Sequence, residues 1–354
     1  MLIHLAFDIP SFKGTSATLL RASVRELLRA HRMGHHLLVI GRAEAEWLRI
    51  NLALDSAEKA LLSELALEFT QTADLLRRAP RMIVVVPHHL EQQSQSNGVY
   101  RLSLQDAAKP YFLDRVAVIV EDIQSDGGLY SLILQALRFA SKANPINWEL
   151  FHGAGDRLSA VFEAKIAERR VACAIIDTDY DAPRTQAPAK AQQLRAIAQG
   201  LKWPHFTVTV LPCREAENLI PLDVVVLLPS AVERQETVNI LQSIEALEDR
   251  KELPASDRFW LHFDIKQGMN ATRVKKLNAE DRAWIEARLD MAGLDLSKAS
   301  ILGFGERVIT QLLESNQACA EIRNAVSTKR WRESFAASFS ELMWMCLAPR
   351  KKIT

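Results

Sequence analysis

Between Val171 and Asp181 the chain reads Val-Ala-Cys-Ala-Ile-Ile-Asp-Thr-Asp-Tyr-Asp, an apolar run of β-forming residues that stops abruptly in alternating acids. A run this short, bounded by polar residues, predicts a buried strand. Asp177, Asp179 and Asp181 then fall at its C-terminal edge, where open α/β sheets place their ligands. Spacing by two puts them on one side only while the chain stays extended. Carboxylates that close repel one another unless protons or cations intervene. A hard divalent cation such as Mg²⁺ takes oxygen ligands and removes that repulsion.

The same design recurs upstream and downstream. Val116–Val120 is a second fully apolar run, and it ends in Glu121-Asp122. A helix is predicted from about Leu129 to Ser141, a strand over Trp148–Phe151, and a helix to about Arg169 with Asp156 as its N-cap. After the acids, a helix opens near Pro188 and ends at Gly200. Phe206–Leu211 is one more strand, running into Arg214-Glu215-Ala216-Glu217-Asn218, read as the first turn of a helix. Strands and helices in alternation predict a parallel sheet with helices on both faces. Its strands end on one edge, so Glu121 and the Asp177 group converge there. Glu215 and Glu217 stand two apart, so on a helix they would not share a face and at most one would reach the site.

Ahead of this region, Leu2–Phe7, His36–Ile40, Met82–Val86 and Val99–Leu102 read as strands. Helices are expected over residues 17 to 31 and 43 to 79, the second broken near Asp55-Ser56, where Ser56 is the expected cap. This makes an α/β domain over residues 1–110. Lys13-Gly14-Thr15 lacks the spacing of a phosphate loop. Residues 111–230 form the second domain, and 231–354 a mostly helical C-terminal region. There Val232–Leu247, Ala279–Met291, 305–325 and 329–346 read as helices, with a strand over Phe259–Ile265. Trp331, Phe335, Phe339, Leu342 and Met343 give the last helix an apolar face.

A length of 354 residues fits two or three domains of roughly 150 residues. Net charge is +1, so there is no global basic field for non-specific nucleic-acid binding, and any such contact is local. The four cysteines lack metal-ligand spacing and fit a reducing compartment, with Cys173 and Cys213 as core residues. With no membrane-spanning run and no signal peptide, the expected location is cytoplasmic.

An apolar strand ending in Glu, then one ending in Asp-x-Asp, resembles the Toprim domain of topoisomerases, bacterial-type primases and the overcoming-lysogenization-defect (OLD) nucleases. Arg214-Glu215-Ala216-Glu217-Asn218-Leu219 is similar to the Arg-Glu-x-Glu-Asn-aliphatic stretch of OLD-type nucleases and their small relatives in anti-phage systems. The resemblance spans about residues 112 to 222. Two positions depart from the pattern: Asp122 stands where the family usually has Gly, and Asp126 lies one residue later than usual. Asp8, at the end of the first strand, sits where PIN-type ribonucleases carry an acid, beside a recognition or scaffold reading of that domain.

The resemblance implies a Toprim-like fold and a Mg²⁺- or Mn²⁺-dependent endonuclease acting on DNA or RNA, the effector of a bacterial anti-phage defence system. Glu121, Asp177, Asp179 and Glu217 would hold the metal. Lys266, in Phe259-Trp-Leu-His-Phe-Asp-Ile-Lys266-Gln-Gly268, would stabilise phosphate charge. Any ATPase would be a separate partner, and homo-oligomerisation is compatible with this reading. Asp122 and Asp126 read as helix caps, and Asp181 as a support behind the ligands. The alternatives are a non-catalytic Toprim-fold module that binds a partner ATPase or nucleic acid, and a nucleotidyl- or phosphoryl-transfer enzyme.

Overall fold

The computed structural model describes residues 1–6, 16–87, 95–96, 98–107, 109, 111–141, 144–153, 157–184, 186–295 and 300–350. Asp8, Lys13-Gly14-Thr15 and Asp156 lie outside the described residues.

The fold is α/β, with parallel sheets flanked by helices. The N-terminal section runs β1 (Leu2–Leu5), α1 (Ala17–Arg32), β2 (Leu37–Ile40), α2 (Arg42–Asn51), α3 (Ser56–Arg78), β3 (Met82–Val86), β4 (Gln95–Ser96), β5 (Val99–Ser103) and α4 (Leu104–Ala107). Its sheet has the order β2-β1-β3-β5-β4, parallel except for the short edge strand β4. The break before α3 is capped by Asp55 rather than Ser56. Asp55 accepts from the Glu58 amide at 2.8 Å while Glu58 accepts from the Asp55 amide at 2.9 Å. This reciprocal box satisfies two donors, where Ser56 with Lys59 would satisfy one.

The central section runs β6 (Val116–Val120), α5 (Asp126–Ser141), β7 (Trp148–His152), α6 (Leu158–Ala167), β8 (Ala172–Ile176), α7 (Ala189–Gly200) and β9 (Phe206–Val210). All pairs in its sheet are parallel, in the order β7-β6-β8-β9. Every residue of β6 and β8 is buried, which is why both read as unbroken apolar runs. Cys173 and Cys213 are fully buried in the core.

The C-terminal section is mostly helical: α8 (Leu222–Val225), α9 (Pro229–Val232), α10 (Gln235–Arg250), α11 (Ala271–Lys276), α12 (Ala279–Met291), α13 (Val308–Glu314), α14 (Asn316–Ala325) and α15 (Lys329–Met345), with a two-stranded antiparallel ribbon of β10 (Gly268–Met269) and β11 (Ile301–Leu302). The helix expected over 305–325 is divided at Ser315, whose hydroxyl accepts from the Ala318 amide and opens α14. Trp331, Phe335, Phe339 and Leu342 are buried, so that face of α15 is core. One apolar cluster runs from β1 through the central sheet to α15.

Phe259–Ile265, expected as a strand, is instead a 3-10 turn over Phe259–Leu261 followed by irregular chain. The reason is long-range. Asn218 Nδ2 donates to the carbonyls of Trp260 at 2.6 Å and Phe263 at 3.0 Å, and the Ile265 amide donates to Glu215 at 3.1 Å. Those backbone groups are satisfied by side chains and have no ladder to join.

Candidate functional site

The chain leaves β6 toward β7 on one side of the sheet and returns to β8 on the other. The gap between the C-terminal ends of β6 and β8 is therefore the topological switch point, the usual ligand crevice of an open α/β sheet. Glu121 follows β6 directly and Asp177 follows β8 directly.

Beyond Asp177 the strand does not stay extended. Asp179 has φ of 57°, in the left-handed region that Asp tolerates better than most residues. The amides of Thr178 and Asp179 both donate to the Arg214 carbonyl, at 3.1 and 2.9 Å, and the Thr178 hydroxyl donates to the Cys213 carbonyl at 2.7 Å. The three aspartates are thus parted. Asp179 is exposed, and Asp181 turns into an ion-pair network. Asp181 Oδ1 takes Arg214 Nη1 at 2.6 Å and Arg273 Nη2 at 3.0 Å, and both arginines also meet Asp264 Oδ2, at 3.3 and 2.6 Å. Asp181 is a support, tying the Asp177 loop to the segment that carries Lys266.

Asp177 is half-buried. Burial, reinforced by the charges of Asp126, Glu121, Glu217 and Asp179, pushes its carboxyl well above the usual range. Acids from β6, from the start of α5 and from beyond β9 therefore act on one carboxylate. Asp126 is an acid that the sequence reading favoured as a helix cap over a ligand. It does cap, accepting from the Asp122 amide at 3.1 Å, while Asp122 accepts from the Ser125 amide at 2.7 Å. Burial also raises Asp126, and nearby Lys266 partly offsets this. Its position in the first turn of a helix that starts at the β6 end was the available signal.

Glu215 is extended and Ala216–Leu219 form a 3-10 turn. This geometry brings both glutamates to one cation, correcting the expectation that only one would arrive. Lys266 Nζ lies 3.2 Å from Glu215 Oε2 and 3.2 Å from Glu217 Oε1. Burial alone would lower the ammonium's pKa, but Glu217 and Glu215 outweigh it and hold it above its usual range. Gly268 has φ of 79°, and a Cβ there would stand 2.1 Å from the Ile301 carbonyl. That close approach, together with hydrogen bonds from the Phe304 and Gly305 amides to the Ile265 and Lys266 carbonyls at 2.7 and 3.1 Å, fixes the lysine's backbone.

Glu217 is 4% exposed, and its Oε2 is buried without a hydrogen-bond partner. Burial, countered by Lys266 and aided by Glu215, pushes its carboxyl up to about 7. Glu121 is ion-paired to Lys190 of α7. Among the described residues, no three acid, thiol or imidazole groups stand close enough together to hold a metal ion as placed. The donor set nevertheless suits a hard divalent cation. It is all carboxylate, it carries one orphaned buried oxygen, and the charges of its other members add to the rise that burial gives the Asp177 carboxyl.

A pH dependence follows. Glu217 and the buried Glu248, which burial also pushes up to about 7, hold their protons longer folded than unfolded. At these two groups the unfolded chain therefore binds fewer protons between pH ~4.5 and 7, and their contribution to stability falls as pH rises through that window. The buried Met1 amino group, His36 and His205, all lowered by burial, contribute with the opposite sign, so the carboxyl share is read by difference. In EDTA, the stability of Glu248→Gln relative to wild type is expected to rise by about 1–3 kcal/mol from pH 5 to 7.5 by urea unfolding. An unchanged or falling difference would contradict the buried carboxylate.

No protein-family model, curated protein or solved structure matches this chain. Among the described residues, no helix is long and apolar enough to cross a membrane.

Proposed function

We propose that this chain is a metal-dependent nuclease that hydrolyses phosphodiester bonds of DNA or RNA, with a Toprim-like central region. The placing of Glu121 and Asp177 at the C-terminal ends of neighbouring parallel strands, at the switch point of the sheet, carries the reading, and the charges of Asp126, Glu121, Glu217 and Asp179 act on the Asp177 carboxyl there. The role as effector of an anti-phage defence system, with a separate ATPase partner, rests on the sequence resemblance alone.

Glu121, Asp177, Asp179 and Glu217 would hold Mg²⁺ or Mn²⁺, with Asp126 beside them. When bound, the ion supplies Lewis acidity and a more acidic water. The chain's own residues do the rest. Asp177 and Glu217 must first shed the protons that burial favours, so the site loads more readily as pH rises. Glu215 keeps Lys266 in place when Glu217 turns to the metal, because its other oxygen is anchored by the Ile265 amide. The Lys266 ammonium then meets the charge on phosphate oxygens.

One observation favours the non-catalytic module instead. Lys190 and Lys266 already pair with Glu121 and Glu217, so much of the acid is neutralised within the chain. The test is to incubate the protein with plasmid, single-stranded DNA and total tRNA, each with Mg²⁺, Mn²⁺ or EDTA. Metal-dependent cleavage is expected, abolished by Glu121→Ala and Asp177→Ala. Lys266→Met should lower it about 100-fold while calorimetry still shows metal binding. A silent wild type that binds no metal would establish the non-catalytic reading.

A further inference from the structure

We propose that Lys190 is the displaceable counter-ion of the acidic centre: its ammonium holds Glu121 until a divalent cation loads, and then yields the carboxylate to the metal. The inference rests on the metal site of the nuclease reading and adds to it the residue that controls loading.

Lys190 reaches across the crevice. Glu121 follows β6 and α7 follows β8, and the two strands pair directly, Ala117 against Ala172 and Ile119 against Ala174. An ion pair from the first turn of α7 to Glu121 therefore crosses the C-terminal mouth of the gap between them. That mouth is where an open α/β sheet takes its ligand. The ammonium contacts Glu121 Oε1, on the carboxylate that a metal would claim. A divalent cation and an ammonium on one carboxylate repel each other, so loading the metal and keeping the pair are competing states.

Nothing local calls for a lysine at this position. The first turn of α7 has no acid, and its N-terminus has no side-chain cap. The helix dipole favours acids at this end and disfavours a cation. Among the described residues Lys190 has no second partner, so Glu121 is what holds it.

The two lysines of the centre are held with different firmness. The Lys190 and Glu121 side chains are 32% and 35% exposed. An ion pair this open to water is weak and readily broken. Lys266 instead lies between Glu215 and Glu217, whose side chains are 10% and 5% exposed, and Glu215 is itself anchored by the Ile265 amide. An incoming cation therefore displaces Lys190 first. The flexible four-carbon stem lets the ammonium swing into solvent without moving α7. Lys190 thus tempers the charge on Glu121 before the metal arrives, and it sets the metal concentration at which the centre loads.

The test is calorimetric titration of Mn²⁺ into the metal-free full chain, with wild type beside Lys190→Met and Lys190→Arg. Lys190→Met keeps most of the side chain's length and removes its charge. Mn²⁺ affinity is expected to rise about 5-fold in Lys190→Met and to stay near wild type in Lys190→Arg, with circular dichroism unchanged. The Mn²⁺ concentration that gives half-maximal cleavage should fall by the same factor. A pair that merely ties α7 to the end of β6 would leave metal binding unaltered or weaker in Lys190→Met. That result overturns the proposal, as does an absence of Mn²⁺ binding in both proteins. The nuclease reading fails separately. If affinity rises in Lys190→Met while plasmid, single-stranded DNA and tRNA all stay uncut, the counter-ion role stands without the nuclease. If wild type cuts with metal and Lys190→Met binds it no better, the nuclease stands without the counter-ion.

Discussion

Asn218→Ala is expected to lower the stability of the protein by about 3–5 kcal/mol, because three buried groups lose their partners and each costs roughly 1–3 kcal/mol. Asn218 is 1% exposed. Its Nδ2 serves the carbonyls of Trp260 and Phe263 at 2.6 and 3.0 Å, and its Oδ1 accepts from the Glu215 amide at 3.0 Å. Water has little access to replace these bonds. The side chain also joins the turn that presents Glu215 and Glu217 to the segment that presents Lys266, so the proposed nuclease activity should fall with stability. Asn218→Asp should be no better, since a carboxylate would face two carbonyls with no donor to offer them. Urea unfolding checks both, and a loss below about 1 kcal/mol for Asn218→Ala would show that the turn holds without it.

Asp177→Asn is expected to act the other way on stability while removing the proposed activity. In metal-free protein it relieves both the burial of a charge and the repulsion from Asp126, Glu121, Glu217 and Asp179. A gain of about 0.5–2 kcal/mol in EDTA at pH 7.5 is the size seen when a strained functional group is neutralised. Mg²⁺ or Mn²⁺ should raise the melting temperature of the wild type and leave Asp177→Asn nearly unmoved. Cleavage should be lost. If the substitution destabilises the metal-free protein, Asp177 is a satisfied structural acid, and the view that Asp177 itself stands without a counter-ion fails.

The two predictions differ in how far each residue's role was legible beforehand. Asp177 was plain in the sequence. A fully buried parallel strand must be apolar throughout, so β6 and β8 stand out as unbroken runs, and an acid at the end of each marks the strand's end and the site. Asn218 was visible only as part of a motif, and its bonds to Trp260 and Phe263 span more than forty positions. No local periodicity encodes them. For the same reason Phe259–Ile265, with its β-forming residues, reads as a strand until Glu215 and Asn218 are found bonded to its backbone.

The sequence by itself determined the alternation of strands and helices and the placing of Glu121 and Asp177 at strand ends. Burial and turn chemistry act over a few residues, and composition records them directly. Only the tertiary structure decided which charges meet. It set the left-handed turn at Asp179 that breaks the alternation of the aspartates, and it drew Asp126 in from the start of α5. It also set both Glu215 and Glu217 against Lys266, and turned Asp181 to the arginines. Those pairings depend on how distant segments pack. Electrostatic interaction falls with distance in space and takes no account of separation along the chain.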